Sequence, residues 1–140
     1  MINNLLLRNF RCFDSLDISL TSGVNFFYGK NGSGKTSILE SLYLCSSGKS
    51  FKSSNIKSLI KLDKDSFLIK SFDSERGYTL QISKSNNASL TILVNNSKVT
   101  SSKLIKEFPA TAIHNNTFSF ADASPDFRRK ILDLSLIHIS

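Results

Sequence analysis

The pattern of apolar and polar positions at the start of the chain predicts three strands. The first is a short apolar run from Leu5 to Arg8. In the second, Leu16, Ile18 and Leu20 alternate with polar residues, which is the period of a strand buried on one face. The third, Val24 to Tyr28, is almost wholly apolar and therefore predicts a strand buried on both faces.

A helix is predicted from Lys35 to Cys45, where apolar residues recur with a helical period. The predicted apolar face consists of Ile38, Leu39, Leu42 and Cys45. Glu40 and Ser41 fall on the opposite, polar face. The stretch that follows, Ser46 to Ser58, is polar and basic and is predicted to be irregular.

From Ser66 to about residue 100 the pattern becomes that of an antiparallel β meander. The predicted strands are Phe67 to Phe72, a stretch in which Tyr78, Leu80 and Ile82 alternate, Ser89 to Val94, and Ser97 to Val99. Asn95 and Asn96 are predicted to form the turn of the last hairpin, because asparagine tolerates positive φ.

Three more elements are predicted towards the C-terminus. Ser102 caps a short helix that ends before Pro109. Thr111 to His114 forms another core strand. Pro125 at a first helical position, with Asp126 beside the positive end of the helix dipole, predicts the start of a further helix. Strands and helices are both predicted, and the fold class expected is α/β.

Between the third strand and the helix lies the motif G-x-x-x-x-G-K-[ST]. Its residues are Gly29, Lys30, Asn31, Gly32, Ser33, Gly34, Lys35 and Thr36. The glycines let the backbone curl so that successive N–H groups point at phosphate oxygens, and the helix adds the positive end of its dipole. Lys35 supplies a charge for the β- and γ-phosphates, and the Thr36 hydroxyl is placed to ligate Mg²⁺. The motif therefore predicts a site for ATP and Mg²⁺.

The net charge adds a second expectation. The 140 residues include 18 Lys and Arg against 11 Asp and Glu, so the formal charge is +7. This balance favours an anionic partner, with nucleic acid the common one, although an ordinary solvated lysine-rich surface has the same composition. Lys49, Lys52 and Lys57 are the candidates for contacts with DNA phosphates, and a solvated loop is the alternative.

Cys12 and Cys45 have no metal-ligand spacing and are predicted to be small buried hydrophobic residues. The N-terminus has no signal-peptide pattern, and no run approaches the roughly 18 apolar residues that a membrane helix needs. The expected location is therefore the cytoplasm.

Hydrolysis of ATP requires more than the loop, because a carboxylate must help to hold Mg²⁺ and another group must orient water. The apolar run Leu90 to Val94 ends in Asn95, and Ile131 to Asp133 is too short and falls in a predicted helix. The sequence thus contains no catalytic candidate. It is expected to bind nucleotide weakly and to turn over little of it.

The sequence around the motif resembles the N-terminus of the ABC-type ATPases of chromosome maintenance. Leu6 to Phe13 and Ser37 to Leu42 carry this resemblance. Gly48 to Ser53 resembles the G-[KR]-S-F-R element of the RecF family, and Ser124 to Asp133 resembles its G-S-P-x-x-R-R-x-F-L-D element. The resemblance spans Leu5 to Asp133. It implies the N-terminal part of an ABC-type P-loop ATPase head, residues 1–133, with the meander at its side.

The resemblance also implies a function in DNA replication and recombinational repair. Family members dimerise around ATP, bind single-strand/double-strand DNA junctions, help RecO and RecR to load RecA onto gaps, and take part in the SOS response. Slow ATP hydrolysis is tied to their dissociation, and their Walker B acids and signature segment lie later in the sequence. The alternative is the ATPase head of an overcoming-lysogenization-defect type nuclease. A transporter ATPase is disfavoured because there is no Q-loop glutamine.

Individual residues take expected roles from this resemblance. Arg11 follows the first strand, where a basic residue of related ATPases reaches the nucleotide; an exposed surface arginine is the alternative. Arg128 and Arg129 are expected to contact DNA or a partner head, with ion pairs on a helix as the alternative. Four aromatic residues are predicted to lie in the core: Phe10, Phe13, Phe26 and Phe27.

The C-terminal part departs from the family. Many members carry Pro-Glu or Pro-Asp where Asn115 and Asn116 stand, beside His114, which is expected to be structural, as is His138. Leu134 to Ser140 resembles the peptide read from a transposon-end sequencing adapter, and is expected to be non-native; a divergent helix end is the alternative. A genomic reading frame that continues unchanged through these codons would contradict the adapter hypothesis.

Overall fold

The computed structural model of the chain describes residues 1–112. The chain divides into two compact units, Met1–Ala110 and Thr111–Ser140, and the first is described below. Several sequence predictions lie outside the described residues: the second half of the strand from Thr111 to His114, the helix start at Ser124-Pro125, the roles of His114, Asn115, Asn116, Arg128, Arg129 and His138, and the origin of Leu134 to Ser140.

The described residues form strands and helices in the following order. They are β1 (Ile2–Phe10), β2 (Phe13–Ser19), α1 (Lys35–Ser47), a 3₁₀ helix (Ile56–Leu59), β3 (Ser66–Asp73), β4 (Tyr78–Ser85), β5 (Thr91–Val94), β6 (Ser97–Lys98) and α2 (Ser101–Glu107). The predicted first two strands, the helix after the glycine-rich motif and the meander are confirmed. The short helix before Pro109 is also present, but its N-cap is Thr100 rather than Ser102, because Thr100 accepts a hydrogen bond from the Lys103 N–H.

The strands form one antiparallel sheet in the order β2-β1-β3-β4-β5-β6. The hairpin between β5 and β6 turns at Asn95 and Asn96, whose φ angles are 48° and 64°. Both residues therefore adopt the left-handed conformation that a two-residue hairpin turn requires. The mixed helix and strand content and this antiparallel meander confirm the predicted fold class.

One face of the sheet forms the hydrophobic core together with the two helices. Alternate residues of β1 and β3, such as Leu5, Leu7 and Ile69, are fully buried. Phe10 and Phe67 make an edge-to-face contact with ring centroids 5.3 Å apart. Burial of each such side chain stabilises the fold by about 1.5–3 kcal/mol, so this face holds α1 in place behind the glycine-rich loop.

The two faces of α1 differ from the prediction. Glu40 and Ser41 are fully buried, whereas Leu39 is 49% exposed. Burial of Glu40 is possible because Arg11 and Ser50 donate hydrogen bonds to its carboxylate, and the Ser41 hydroxyl donates to the carbonyl of Ile38. Polarity alone misassigned these positions, because Arg11 and Ser50 satisfy the Glu40 carboxylate and a bond within the helix satisfies the Ser41 hydroxyl.

The predicted strand from Val24 to Tyr28 is wrong for the described structure. This segment is irregular, and Val24, Phe26 and Tyr28 are 74%, 85% and 94% exposed. Phe26 is therefore not a core residue, although Phe27 packs against the core in part. A strand requires a hydrogen-bonding neighbour, and none of the described strands pairs with this segment. Its apolar composition alone is insufficient.

Candidate functional site: a glycine-rich loop at the N-terminus of α1

The backbone of the loop from Gly29 to Thr36 turns tightly before it enters α1. Gly32 and Gly34 have φ angles of 82° and 94°. Gly34 also leaves no room for a side chain, because a Cβ there would lie 2.8 Å from Cys12 Sγ. The close approach of the loop to the turn between β1 and β2 thus depends on glycine at position 34.

The start of α1 presents backbone N–H groups with no partner inside the helix. The first bond of its ladder runs from the Ile38 N–H to the Gly34 carbonyl, 3.0 Å away. The N–H groups of Lys35, Thr36 and Ser37 precede that bond and have no α-helical acceptor. No side chain caps the helix at Gly34. These donors and the positive end of the helix dipole favour an anion at this position.

The side chain of Lys35 folds back into the curve of the loop. Its Nζ donates to the carbonyls of Gly29 and Lys30 at 2.8 Å and 2.7 Å. The positive charge is thereby held beside the unpaired N–H groups of α1. Lys30, in contrast, is exposed, and it contributes a carbonyl rather than a charge.

A cavity of about 700 Å³ lies against this loop. Its lining residues are Arg11, Cys12, Asn31, Gly32, Ser33, Gly34, Lys35, Thr36, Ser37, Lys52, Ser58, Ile60 and Leu62. Three of these side chains are basic, and none of the described lining residues is acidic. The cavity therefore suits a multiply charged anion.

The predicted site residues are brought together only in part. The loop from Asn31 to Thr36, with Arg11 and Lys52, lines the cavity, while Gly29 and Lys30 contribute through the carbonyls that hold Lys35. Lys49 and Lys57 are exposed and lie outside the lining. The sequence analysis missed the polar Ser58 and the apolar Ile60 and Leu62, which come from a segment with no motif of its own.

Arg11 is 22% exposed and is held in place by several contacts. Its Nε and Nη2 donate to the Glu40 carboxylate at 2.9 Å and 2.7 Å, and its Nη1 donates to the Ser58 carbonyl at 3.1 Å. Arg11 also has a positive φ of 52°, and its N–H donates to the Leu59 carbonyl. It is therefore not an arginine that moves freely on the surface.

The basic stretch after α1 is ordered by its own short polar side chains. The Ser50 hydroxyl accepts hydrogen bonds from the backbone N–H groups of Lys52 and Ser53, both at 3.0 Å. Asn55 accepts from the Lys57 N–H at 3.1 Å and caps the 3₁₀ helix. The side chains of Lys52 and Lys57 are thereby presented to solvent from a defined backbone.

The two cysteines differ, contrary to the prediction that both are buried. Cys45 is buried in α1, and burial raises the pKa of its thiol to about 12 despite a hydrogen bond with Ser71. Cys12 is exposed and lines the cavity beside Gly34. Cys12 lies in the turn between β1 and β2, whereas Cys45 lies on the buried side of α1, and this explains the difference.

In residues 1–112, no group of three or more His, Cys, Asp or Glu side chains is placed to hold a metal ion. The same part of the chain has no helix with the length and apolar character needed to cross a membrane.

A glycine-rich loop that opens a helix beside an antiparallel meander defines the class of P-loop ATPase heads. The family described as AAA domain matches residues 4–136, nearly the whole chain. The chain therefore belongs to this family. Among its relatives it is similar to the N-terminal part of RecF, which confirms the resemblance found in the sequence.

Two curated relatives illustrate the similarity. The DNA replication and repair protein RecF of Proteus mirabilis is 33% identical over 146 residues, which covers 99% of this chain and 40% of the relative. RecF of Clostridium novyi is 38% identical over 138 residues, which covers 96% of this chain and 38% of the relative. The chain thus spans about 40% of the length of the curated relatives that it matches.

Solved structures agree in fold. The recombination mediator protein RecF-ATPrS superposes with a TM-score of 0.85 at 25% identity, which covers 100% of this chain and 39% of that chain. RecF-ATP superposes with a TM-score of 0.82 at 26% identity, which covers 95% of this chain and 38% of that chain. An SMC ATPase shares the fold with a TM-score of 0.70 at 20% identity, covering 95% of this chain and 98% of that one.

Proposed function

We propose that the chain binds ATP at the loop from Gly29 to Thr36, as the nucleotide-binding part of a DNA repair ATPase of the RecF type. The observation that carries the proposal is the ammonium of Lys35, which two loop carbonyls hold beside the unpaired N–H groups of α1. A fixed cation and converging N–H donors together are suited to the phosphates of a nucleotide. The similarity to RecF structures described with ATP and ATPrS supports the choice of ligand.

The lining of the cavity fits a triphosphate. The backbone from Asn31 to Gly34 would surround the phosphates, Lys35 would bind their outer oxygens, and Arg11 would add a second charge. Bound ATP supplies the negative charge that offsets the cations of the cavity. The protein's part is to hold those cations in place and, through the tight contact at Gly34, to keep the loop closed around the ligand.

Magnesium enters the proposal through Thr36, whose hydroxyl is the oxygen ligand that the motif places beside the phosphates. Mg²⁺ prefers six oxygen ligands and usually keeps several waters, so one hydroxyl and the phosphates are a partial shell. The carboxylates that complete such sites would come from the part of the relatives' length that this chain does not span.

DNA binding is proposed for Lys49, Lys52 and Lys57. All three side chains are exposed, and they follow one another along a loop whose backbone is fixed by Ser50 and Asn55. The formal charge of +7 adds a general attraction to phosphates. Arg128 and Arg129 remain further candidates, outside the described residues.

The cellular role follows from the relatives, which are described as DNA replication and repair proteins and, in the solved structures, as a recombination mediator in the RecFOR pathway. The whole protein would act in the cytoplasm at single-strand/double-strand junctions. There it would assist RecO and RecR in loading RecA onto gaps and take part in the SOS response. ATP binding would drive dimerisation of its heads.

The proposal is tested by titrating the chain with a fluorescent ATP analogue in the presence of Mg²⁺ and again with EDTA. Lys35→Ala is expected to weaken binding at least tenfold, because it removes a charge-assisted contact with phosphate. Lys106→Ala is the matched control, since it removes one exposed lysine of α2 that lies outside the loop and the cavity lining. Equal losses in the two variants would show that only net charge matters and would overturn the assigned site.

A further inference from the structure

A buried carboxylate lies one helical turn after the glycine-rich loop. Glu40 is fully buried in α1, four residues beyond Thr36. Its Oε2 accepts from Arg11 Nε, and its Oε1 accepts from both Arg11 Nη2 and the Ser50 hydroxyl. A buried carboxylate is unfavourable unless it is paired and fully hydrogen-bonded, and replacement of a buried ion pair by well-packed apolar residues is often neutral or stabilising. The carboxylate therefore serves something other than packing.

The first contact of Glu40 fixes Arg11. The guanidinium has five N–H groups in a rigid fork. Two of them bind Glu40 and a third binds the Ser58 carbonyl, so described residues engage three of the five. Arg11 lines the cavity, and the remaining two N–H groups have no partner among residues 1–112. Glu40 thereby orients a cation that still has donors for a ligand.

The second contact of Glu40 fixes the basic loop. The Ser50 hydroxyl donates to Glu40 and at the same time accepts from the backbone N–H groups of Lys52 and Ser53. This sets the backbone at Lys52, which lines the same cavity as Arg11. One carboxylate is thus connected to both of the basic side chains that reach the cavity from outside the glycine-rich loop.

We propose that Glu40 is a positioning residue for recognition of the outermost phosphate of a nucleoside triphosphate, acting through Arg11 and Lys52. The proposal rests on the function proposed above. Lys35 and the N–H groups of α1 have phosphate oxygens to bind in a diphosphate as well as in a triphosphate. A ligand with one more phosphate gains from two additional cations only if those cations are held where that phosphate lies.

The test compares ATP and ADP affinity, by calorimetry with Mg²⁺, in a double-mutant cycle of Arg11→Gln, Glu40→Gln and both together. Glu40→Gln is expected to weaken ATP about tenfold and ADP less than twofold. In the Arg11→Gln background the same change is expected to weaken ATP less than threefold, because the effect runs mainly through Arg11. Arg11→Gln alone leaves the buried Glu40 carboxylate without its cation, whereas the double variant has no unpaired buried charge and is expected to fold even where Arg11→Gln does not.

Two further measurements separate positioning from general damage. In the wild-type chain the Arg11 Nε–H signal in the NMR spectrum is expected to be slow to exchange with water, and in Glu40→Gln to be lost while the core amides are unchanged. Ser50→Ala is expected to reduce the preference for ATP over ADP about threefold. Glu107→Gln is the matched control, since its ion pair with Lys103 on α2 lies outside the cavity lining.

Equal weakening of ATP and ADP in Glu40→Gln, or an undiminished effect in the Arg11→Gln background, would overturn the positioning role and leave the proposed function intact. A wild-type chain that binds neither nucleotide would overturn both proposals.

Discussion

Gly34 lies so close to Phe13 that a Cβ atom on Gly34 would be 2.3 Å from Cζ of the phenyl ring. The start of β2 therefore packs directly on the last glycine of the loop. This contact joins the loop to the sheet, and it makes the loop conformation depend on the fold as a whole.

Gly34→Ala is expected to destabilise the chain by about 3 kcal/mol, from the left-handed backbone conformation and the overlap with Phe13. It should also weaken ATP binding. The measurement is the free energy of unfolding in urea. Gly23→Ala is the matched control, because Gly23 has nearly the same φ, 95° against 94°, with nothing within 4 Å of its Cβ position. It should cost about 1 kcal/mol. Equal effects at both sites would contradict the close packing.

Thiol labelling provides a second prediction, since Cys12 is exposed at the cavity and Cys45 is buried with its pKa raised to about 12. At pH 8 a thiol reagent should modify Cys12 in the folded chain and leave Cys45 unmodified, because only a thiolate reacts. ATP with Mg²⁺ should slow the labelling of Cys12. The modified residue is identified by peptide mass spectrometry, and labelling that ATP leaves unchanged would contradict ligand binding in this cavity.

The ion pair between the Met1 ammonium and Asp73 predicts a pH window of stability. Burial of Asp73 acts to raise its pKa, but hydrogen bonds from Met1 and the Arg76 N–H outweigh burial, and the pKa lies below its ordinary value of 3.8. The hydrogen bond to Asp73 raises the pKa of the Met1 ammonium above 8.0, although desolvation opposes this change.

The pair is therefore fully charged and stabilising between about pH 4 and pH 8. Its contribution is lost as pH falls through the lowered pKa of Asp73, and again as pH rises through the raised pKa of Met1. The measurement is the urea midpoint of a chain that starts at Met1, from pH 3 to pH 10. Asp73→Asn should flatten the curve at both ends, and a variant that keeps the wild-type profile would contradict the assignment.

Replacement of Lys49, Lys52 and Lys57 by Ala should weaken DNA binding and reduce its dependence on salt. Three phosphate contacts correspond to a slope of log affinity against log salt that is smaller by about 2.7 for duplex DNA. Fluorescence anisotropy with a labelled junction at several salt concentrations gives this slope. Replacement of three other exposed lysines, Lys98, Lys103 and Lys106, by Ala controls for net charge. An equal change of slope in that control would indicate non-specific attraction only.

Local sequence was sufficient to predict features whose cause is local. The glycine-rich loop follows from residue types at fixed spacing, since glycine adopts the positive φ angles seen at Gly32 and Gly34 without steric cost. The turn at Asn95-Asn96 follows from the tolerance of asparagine for positive φ, and the meander follows from alternation in β3 and β4. The predicted fold class and the family resemblance both depended on such features.

Tertiary structure decided the features whose cause lies far away in the sequence. Glu40 is polar and was assigned to the polar face of its helix, yet it is buried because Arg11 and Ser50, 29 and 10 residues away, satisfy its carboxylate. The apolar segment from Val24 to Tyr28 was assigned to a strand, yet no described strand provides the backbone partners that a strand requires. Hydrophobicity indicates what a residue would gain from burial, but only the packed chain determines which partners are present.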